Sequence, residues 1–425
     1  MAQMLLEQAV RILKKNDLGS YTVPTHGLYP FQWNWDSCLT ALGLGHMNED
    51  RAWKEVETLF DHQWEDGMVP HIIFHSENDS YFPGPNVWST GSDVPTSGIT
   101  QPAVAGFAVN RLYKRAQDKQ MAARRAKALL PKILNWHNWF YKNRDPNDEG
   151  LVAIIHPWES GRDNSIDWDI AFGRVPTKGV MPFVRRDIQH TDPAHRPTQE
   201  QYERYIWLIQ LFKSLNWDNT RLHGASPFKV VDPGFNAILI RSCSDLAQLA
   251  EKLGESDTAQ ISALQAEKGL AALEALWCQN NEQYLCLDRV TGELIQSLSV
   301  GGLPPAFAPL PKARMSALAK RIKSIDEDAN YLVPSHDVRS NRFDHTRYWR
   351  GPAWLIINYM IADGMSQFGQ NDIAERIKTD SIKLINQSGF AEYYSPVDGR
   401  GCGGSSFSWT AAMVIEFLKS PAEPH

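Results

Sequence analysis

Hydrophobic side chains recur with a helical period along most of the chain. In residues 5–15, leucine and valine return every three or four positions among glutamate, arginine and lysine, which predicts an amphipathic helix with one buried face. Similar periodicity or apolar runs elsewhere bring the number of predicted helices to about a dozen. The other predicted helices are 38–44, 48–64, 103–112, 127–141, 202–215, 232–252, 256–277, 313–325, 354–365, 372–387 and 407–418.

Extended segments are few. Residues 71–75 form one short candidate, and residues 284–287 and 293–298 predict a small hairpin. Strands rich in valine and isoleucine do not alternate with the helices, as an α/β fold would require. Paired helices joined by long loops instead predict an all-α fold, an (α/α)6 barrel of helical hairpins with the loops over one end. No low-complexity linker interrupts residues 1–425, so we expect a single domain.

The charge and cysteine content restrict the class of protein. A formal net charge of -6, with no basic block, argues against nucleic-acid binding. The five cysteines are scattered and form no Cys-x-x-Cys pair, which favours reduced thiols and a cytoplasmic location. The N-terminal segment does not have the pattern of a signal peptide, and no apolar run approaches the length needed to span a membrane. A homo-oligomer is compatible with this composition.

Aromatic residues are unusually abundant, with fifteen tryptophans and an aromatic share of 11%. Large rings fill contacts between helices, and they also line clefts that bind sugars. Trp33, Trp35 and Asp36 lie together where the predicted helix 38–44 begins, and Gln101 precedes another helix, where it could bind a sugar hydroxyl. The alternative is that the two tryptophans are packing residues and Asp36 is a helix cap. Residues 81–96 are rich in Pro, Gly, Ser and Trp and predict a long loop over the cleft.

The densest group of reactive side chains lies in residues 156–169. This segment holds four carboxylic acids and two tryptophans around a Gly-Arg turn, and neither helical nor strand periodicity fits it. Loops on a rigid scaffold often carry catalytic groups. Asp163 is the leading candidate, with Glu159, Asp167 and Asp169 as rivals. The alternative for Asp163 is a turn-forming role in a structural loop.

A second carboxylate in aromatic surroundings follows near the C-terminus. Glu392 lies close to Phe390, Tyr393 and Tyr394, in a predicted loop between two helices. Two carboxyl groups in partly dry surroundings suit glycoside hydrolysis, because one protonates the leaving oxygen and the other acts on water or on the anomeric carbon. The alternative for Glu392 is a solvated loop carboxylate.

The sequence predicts no metal or other cofactor. His71 and His75 are four residues apart, but in an extended segment they do not converge as they would on a helix. The turn that begins at Asp145 has His156 where an EF-hand needs a bidentate glutamate, so a calcium loop is rejected.

Five motifs, taken in order, resemble glycoside hydrolase family 63, and within it the hexosylglycerate hydrolases. The motifs are Tyr-Pro-Phe-Gln-Trp-Asn-Trp-Asp (29–36), Gln-Trp-Glu-Asp-Gly-Met-Val-Pro-His (63–71), His-Pro-Trp-Glu-Ser-Gly-Arg-Asp-Asn-Ser (156–165), Tyr-Trp-Arg-Gly-Pro-Ala-Trp (348–354) and Gly-Phe-Ala-Glu-Tyr-Tyr (389–394). The fourth motif leads into a predicted helix, with Pro352 expected inside the first turn.

This resemblance implies an (α/α)6 barrel that cleaves an α-glycoside with inversion, with Asp163 as general acid and Glu392 as general base. It also implies that an arginine and tyrosines hold a glycerate carboxylate, so that the partner is a small anionic glycoside. The residues expected to contact the substrate are Tyr29, Trp33, Trp35, Asp36, Tyr81, Gln101, Arg196, Tyr202, Tyr348, Trp349 and Gly351.

An inverting reaction leads to two expectations, one for the distance between the carboxyl groups and one for the pKa of Asp163. The two carboxyl groups should lie roughly 6.5–9.5 Å apart, which leaves room for a water molecule. Asp163 should be protonated at rest, with its pKa raised by burial and by nearby carboxylates such as Glu159 or Asp167. The alternatives are an α-glucosidase acting on a small disaccharide or on glucosylglycerol, a sugar epimerase or isomerase on a helical barrel, and a carbohydrate-binding protein without catalysis.

Overall fold

The computed structural model describes residues 2–419, and helices make up most of its regular structure. Met1, where the chain begins, and residues 420–425 lie outside the described residues. The helices are α1 (Ala2–Asn16), α2 (Asn34–Gly45), α3 (Glu49–Phe60), α4 (Pro85–Trp88), α5 (Ala105–Arg115), α6 (Lys119–Arg144), α7 (Asp169–Gly173), α8 (Gln199–Ser214), α9 (Asn219–Ala225), α10 (Pro233–Leu253), α11 (Ser256–Leu273), α12 (Lys312–Asp326), α13 (Leu355–Gln367), α14 (Asn371–Ser388) and α15 (Ser408–Lys419).

An inner ring of elements closes on itself. Helix α2 packs on α5, α5 on α10, α13 on α15, and α15 back on α2. Between α10 and α13 the ring is completed by two 3-10 turns, Val300–Gly302 and Pro304–Phe307. The second turn begins with two prolines, which cannot continue a long helix. Helices α1, α3, α6, α11, α12 and α14 pack outside, which confirms the predicted (α/α)6 barrel.

Burial explains why inner and outer helices differ in sequence. Eleven of the twelve residues of α2 are buried, so this helix has no continuous polar face. Helix α3 instead buries one face and begins at the cap of Asn48, whose side chain accepts a hydrogen bond from the Arg51 amide. Amphipathic periodicity therefore predicted outer helices such as α3, whereas a mainly apolar stretch, residues 38–44, predicted α2.

The strands are short, with two to five residues each, and lie in the segments that connect the helices. They are β1 (Gln32–Trp33), β2 (Ile72–Ile73), β3 (Val230–Val231), β4 (Trp277–Cys278), β5 (Gln283–Tyr284), β6 (Leu287–Asp288), β7 (Glu293–Leu294), β8 (Ala391–Tyr394) and β9 (Gly401–Ser405). All pairs between them are antiparallel: β1 with β2, β3 with β6, β6 with β7, β4 with β5, and β8 with β9.

Three details differ from the sequence predictions. The hairpin predicted from residues 284–287 and 293–298 belongs to two separate strand pairs. Strand β6 pairs with β7, whereas Tyr284 lies in β5 and pairs with Trp277 of β4. Pro352 lies before α13 rather than in its first turn, in the extended approach where Ala353 bridges to Tyr394. The predicted loop around Glu392 is the hairpin β8–β9. Among residues 2–419, no helix combines the length and apolar character that a membrane crossing requires.

Candidate active site

One pocket, at the N-terminal end of the inner helices, collects side chains from distant parts of the chain. Its volume is about 730 Å³, counting space that opens to solvent. Eleven of the thirteen predicted site residues line it. They are Tyr29, Trp33, Trp35, Asp36, Tyr81, Gln101, Asp163, Arg196, Tyr202, Tyr348 and Glu392.

A β-bulge aims Glu392 into the pocket. In the β8–β9 hairpin, Ala391 pairs with Ser405 and Tyr393 pairs with Cys402, so Glu392 stands opposite two residues, Gly403 and Gly404. Bulges of this kind redirect a side chain. Gly403 has a φ of +73°, and a Cβ there would collide with the Glu392 carboxylate. Both the conformation and the close approach therefore require glycine at position 403.

Several donors surround the Glu392 carboxylate. The amide of Gly404 donates to Oε2 at 2.9 Å, and the hydroxyl of Tyr29 donates to Oε1 at 3.1 Å. The guanidinium of Arg196 lies 3.8 Å from Oε1. Burial raises the pKa of Glu392, while Arg196, the Gly404 amide and the tyrosine hydroxyls act in the opposite direction. These donors favour the ionised form, which suits a base.

The loop that carries Asp163 is fixed on both sides. Gly161 has a φ of +71° and lies against the Trp35 indole, where a Cβ would come within 2.5 Å of the ring. The buried side chain of Arg162 forms ion pairs with Asp167 at 2.9 Å and with Asp232, the cap of α10, at 3.0 Å. These contacts fasten the loop to the inner ring beneath Asp163.

Asp163 has the environment of a general acid. Burial raises its pKa to about 7; Arg196 lowers this pKa, while Glu392 and Asp187 raise it. Among the described residues, no hydrogen bond from another side chain to its carboxyl oxygens is seen, whereas Glu392 accepts two from its neighbours. Of the two carboxyl groups, Asp163 is therefore the better site for a proton.

The carboxylates near Asp163 are not the expected ones. Glu159 accepts from Arg144 at 2.9 Å and is buried beside it. Burial alone would raise the pKa of Asp167, but Arg162 and the Ser299 hydroxyl hold it below its ordinary value. Apart from burial, the pKa of Asp163 is raised by Glu392 and Asp187 instead, which line the same pocket. This corrects the expectation drawn from closeness in sequence.

Asp169, the third rival acid, is also paired. Both Nη atoms of Arg350 reach it, at 2.9 and 2.8 Å, and Arg342 contacts it as well. None of the three rival acids lines the pocket.

The opposite wall carries polar groups suited to sugar hydroxyls. Asp36 lies in the first turn of α2, where burial, with Glu392 and Asp163 nearby, raises its pKa well above the ordinary value. Gln101 accepts a hydrogen bond from the Trp35 amide through Oε1, at 3.3 Å. This leaves its amide nitrogen without a hydrogen bond to any of the described residues. The Trp33 ring packs edge-on against Tyr81, with centroids 5.2 Å apart.

The remaining wall is built for an anion. Arg196 is buried, and its Nη2 donates to the Tyr29 hydroxyl at 3.0 Å. Its guanidinium carbon lies 4.1 Å from the centre of the Tyr348 ring. Nη1 makes no hydrogen bond of standard geometry with the described residues. A buried guanidinium nitrogen beside tyrosine hydroxyls is a ready site for a carboxylate.

Comparison with known proteins identifies the family. Residues 29–410 match the mannosylglycerate hydrolase MGH1-like glycoside hydrolase domain. The chain belongs to this family. It is a glycoside hydrolase, as the resemblance to glycoside hydrolase family 63 implied, and this decides against the epimerase and the non-catalytic alternatives.

Relatives match along nearly their whole length. The chain is 46% identical to a mannosylglycerate hydrolase of Thermus thermophilus, over 96% of this chain and 99% of that one. It is 34% identical to a glucosylglycerate hydrolase of Mycolicibacterium hassiacum, with 97% of each chain covered. A crystal structure of a Thermus thermophilus mannosylglycerate hydrolase in complex with Tris and D-glycerate superposes with a TM-score of 0.94, at 46% identity, over 97% of this chain and 99% of that one.

Two predicted contact residues of this glycoside hydrolase lie behind the pocket wall. The Trp349 ring stacks on Trp354 at 3.8 Å, and the Trp349 amide donates to the side chain of Asn164, next to Asp163, at 2.9 Å. Gly351 donates to the Ser335 hydroxyl at 2.9 Å. Neither residue lines the pocket.

The pocket also contains residues that the sequence analysis did not single out as site residues. His71 hydrogen-bonds through Nδ1 to the Ser97 hydroxyl at 2.6 Å, and burial lowers its pKa well below the ordinary value, so the ring is neutral. Trp158 and Trp409 add aromatic faces, and Asp187 adds a carboxylate. His71 and Trp158 stood inside quoted motifs, but no sequence signal pointed to Asp187.

Proposed function

We propose that the protein hydrolyses a small α-linked hexosylglycerate, glucosylglycerate or mannosylglycerate, to hexose and glycerate. The observation that carries this proposal is the buried Nη1 of Arg196, which lies 3.8 Å from Glu392 and makes no hydrogen bond of standard geometry with the described residues. A net acidic protein that selects an anionic aglycone needs such a local cation. The relatives named mannosylglycerate and glucosylglycerate hydrolase support the same substrate class.

The proposed reaction is a single displacement. Asp163, protonated at rest, donates its proton to the glycosidic oxygen as the bond to the anomeric carbon breaks. Glu392, ionised, takes a proton from a water molecule that attacks the opposite face of the sugar. The products are the hexose with inverted configuration and glycerate, and each carboxyl group ends in the opposite protonation state.

The sugar and the aglycone would occupy different walls. Asp36 and Gln101 suit the hexose hydroxyls, while Arg196, Tyr202 and Tyr348 suit the glycerate carboxylate. An arginine–carboxylate contact of this kind is stronger than a neutral hydrogen bond. The glycosidic oxygen would then lie between the walls, within reach of Asp163.

A panel of purified glycosides tests the proposal. Glucosylglycerate, mannosylglycerate, glucosylglycerol and the disaccharide kojibiose would be incubated with the enzyme, and released glycerate and hexose measured directly. We expect cleavage of at least one glycerate glycoside with kcat/KM well above that of the neutral compounds. Cleavage of kojibiose or glucosylglycerol with no release of glycerate would favour the α-glucosidase alternative.

A further inference from the structure

Asp187 joins two arginines in the wall of the pocket. Nε and Nη2 of Arg185 donate to its two carboxylate oxygens, at 3.0 and 2.7 Å. Nε of Arg196 donates to Oδ2 at 3.2 Å. Asp187 is buried, with 8% of its surface exposed. Although burial would raise its pKa, the two arginines hold the pKa below its ordinary value, so the group is an anion between two cations.

Each of these arginines covers one tyrosine of the proposed anion site. The guanidinium carbon of Arg185 lies 4.0 Å from the centre of the Tyr202 ring, and that of Arg196 lies 4.1 Å from the Tyr348 ring. Asp187 therefore fixes the spacing between two cation–aromatic pairs. Arg185 comes just before Asp187 in the chain, and Arg196 leads into α8.

The three guanidinium nitrogens of Arg196 have different surroundings. Nε donates to Asp187 and Nη2 donates to Tyr29, while Nη1 is buried 3.8 Å from Oε1 of Glu392 and makes no hydrogen bond of standard geometry with the described residues. Without Asp187, the nearest carboxylate for this guanidinium is Glu392. Arg196 would then turn toward the proposed base and away from an incoming anion.

We propose that Asp187 is a positioning residue that holds Arg196 by Nε and keeps its Nη1 available for the carboxylate of the aglycone. This inference rests on the proposed function, because it names the residue that makes the site select a charged aglycone. Asp187 acts through Arg196 and sets the preference for glycerate over its neutral counterpart, glycerol.

The test compares two substrates that differ only in this charge. We expect D187N to lower kcat/KM for the hexosylglycerate by about 10- to 150-fold, the range for a hydrogen bond to a charged group, mostly through KM. The same variant should lower kcat/KM for the corresponding hexosylglycerol less, because the loss of Asp187 changes the pKa of Asp163 and brings Arg196 toward Glu392 with either substrate. The readout is therefore the ratio of the two kcat/KM values. The matched control is D192N, the same charge change in the same segment at an exposed side chain, which should leave both substrates unaffected.

A second variant guards against misfolding, because D187N leaves two buried guanidiniums without their carboxylate. D187E keeps the charge and moves it by one methylene, and we expect an intermediate loss confined to the charged substrate. Equal losses on both substrates, in either variant, would show a merely structural role and overturn the inference. Failure of the wild-type enzyme to cleave the hexosylglycerate would instead overturn the proposed function, and the inference with it.

Discussion

Replacing Gly403 by alanine tests whether the bulge sets the position of Glu392. The new Cβ would lie 2.8 Å from the Cβ of Glu392 and 2.7 Å from the Tyr393 ring, and it would collide with the carboxylate. The carboxylate must shift to relieve this contact. Displacement of a catalytic group by about 1 Å costs on the order of 100-fold in rate, equivalent to about 2.7 kcal/mol of transition-state stabilisation.

The variant also has a backbone cost, which a control can isolate. Gly403 has a φ of +73° and Gly292 a φ of +77°, but nothing lies within 4 Å of a Cβ at Gly292. Both alanine variants should lose about 1–2 kcal/mol of stability from the left-handed conformation, with a further loss at Gly403 from the clash. Only G403A should lose activity, measured as kcat on the preferred glycoside at a temperature where circular dichroism shows both variants folded. Activity of G403A within threefold of G292A would refute the role given to the bulge.

The other predictions concern the catalytic charges and the ion pairs that support them. The kcat/KM profile should be bell-shaped: activity falls as pH rises through about 7, because Asp163 must be protonated, and falls again at low pH, through a pKa above the ordinary glutamate value, because Glu392 must be ionised. A flat profile from pH 5 to 9 would contradict both roles. R196Q removes the cation that lowers both pKa values, so both limbs of the residual activity should move to higher pH; unchanged limbs would count against the assigned electrostatics. E159Q leaves the buried Arg144 without its carboxylate, and urea unfolding should show a loss of about 3–5 kcal/mol; a loss below about 1 kcal/mol would show that the pair contributes little.

The architecture was predictable because burial leaves a direct trace in sequence. Outer helices such as α3 bury one face, whereas inner helices such as α2 are buried almost all round. The sixth inner element, formed by the turns Val300–Gly302 and Pro304–Phe307, was not predicted. Its glycines and prolines are typical of a loop, and its place in the ring depends on tertiary contacts with α10 and α13. The β8–β9 hairpin was missed for a similar reason, because the glycines of β9 give no strand periodicity.

The sequence predicted those site residues that lie in recognisable motifs. It did not predict residues that reach the pocket only through tertiary packing. Asp163 and Glu392 line one pocket although more than two hundred residues separate them. The prediction that Glu159 or Asp167 raises the pKa of Asp163 was wrong. These two residues are close to Asp163 in sequence, but they form ion pairs with Arg144 and Arg162. Asp187 gave no signal, since only the fold brings Arg196 to it. The single domain, the cytoplasmic location and a homo-oligomer stay predictions.

The central claim is that Asp163 and Glu392 act as acid and base in a single displacement across this pocket. Proton NMR during the first minutes of hydrolysis of an α-hexosylglycerate reads the outcome directly, because the anomeric signal of the released hexose is seen before mutarotation equilibrates it. The β-anomer should appear first. Initial release of the α-anomer would mean a double displacement, and it would contradict the roles given to both carboxyl groups.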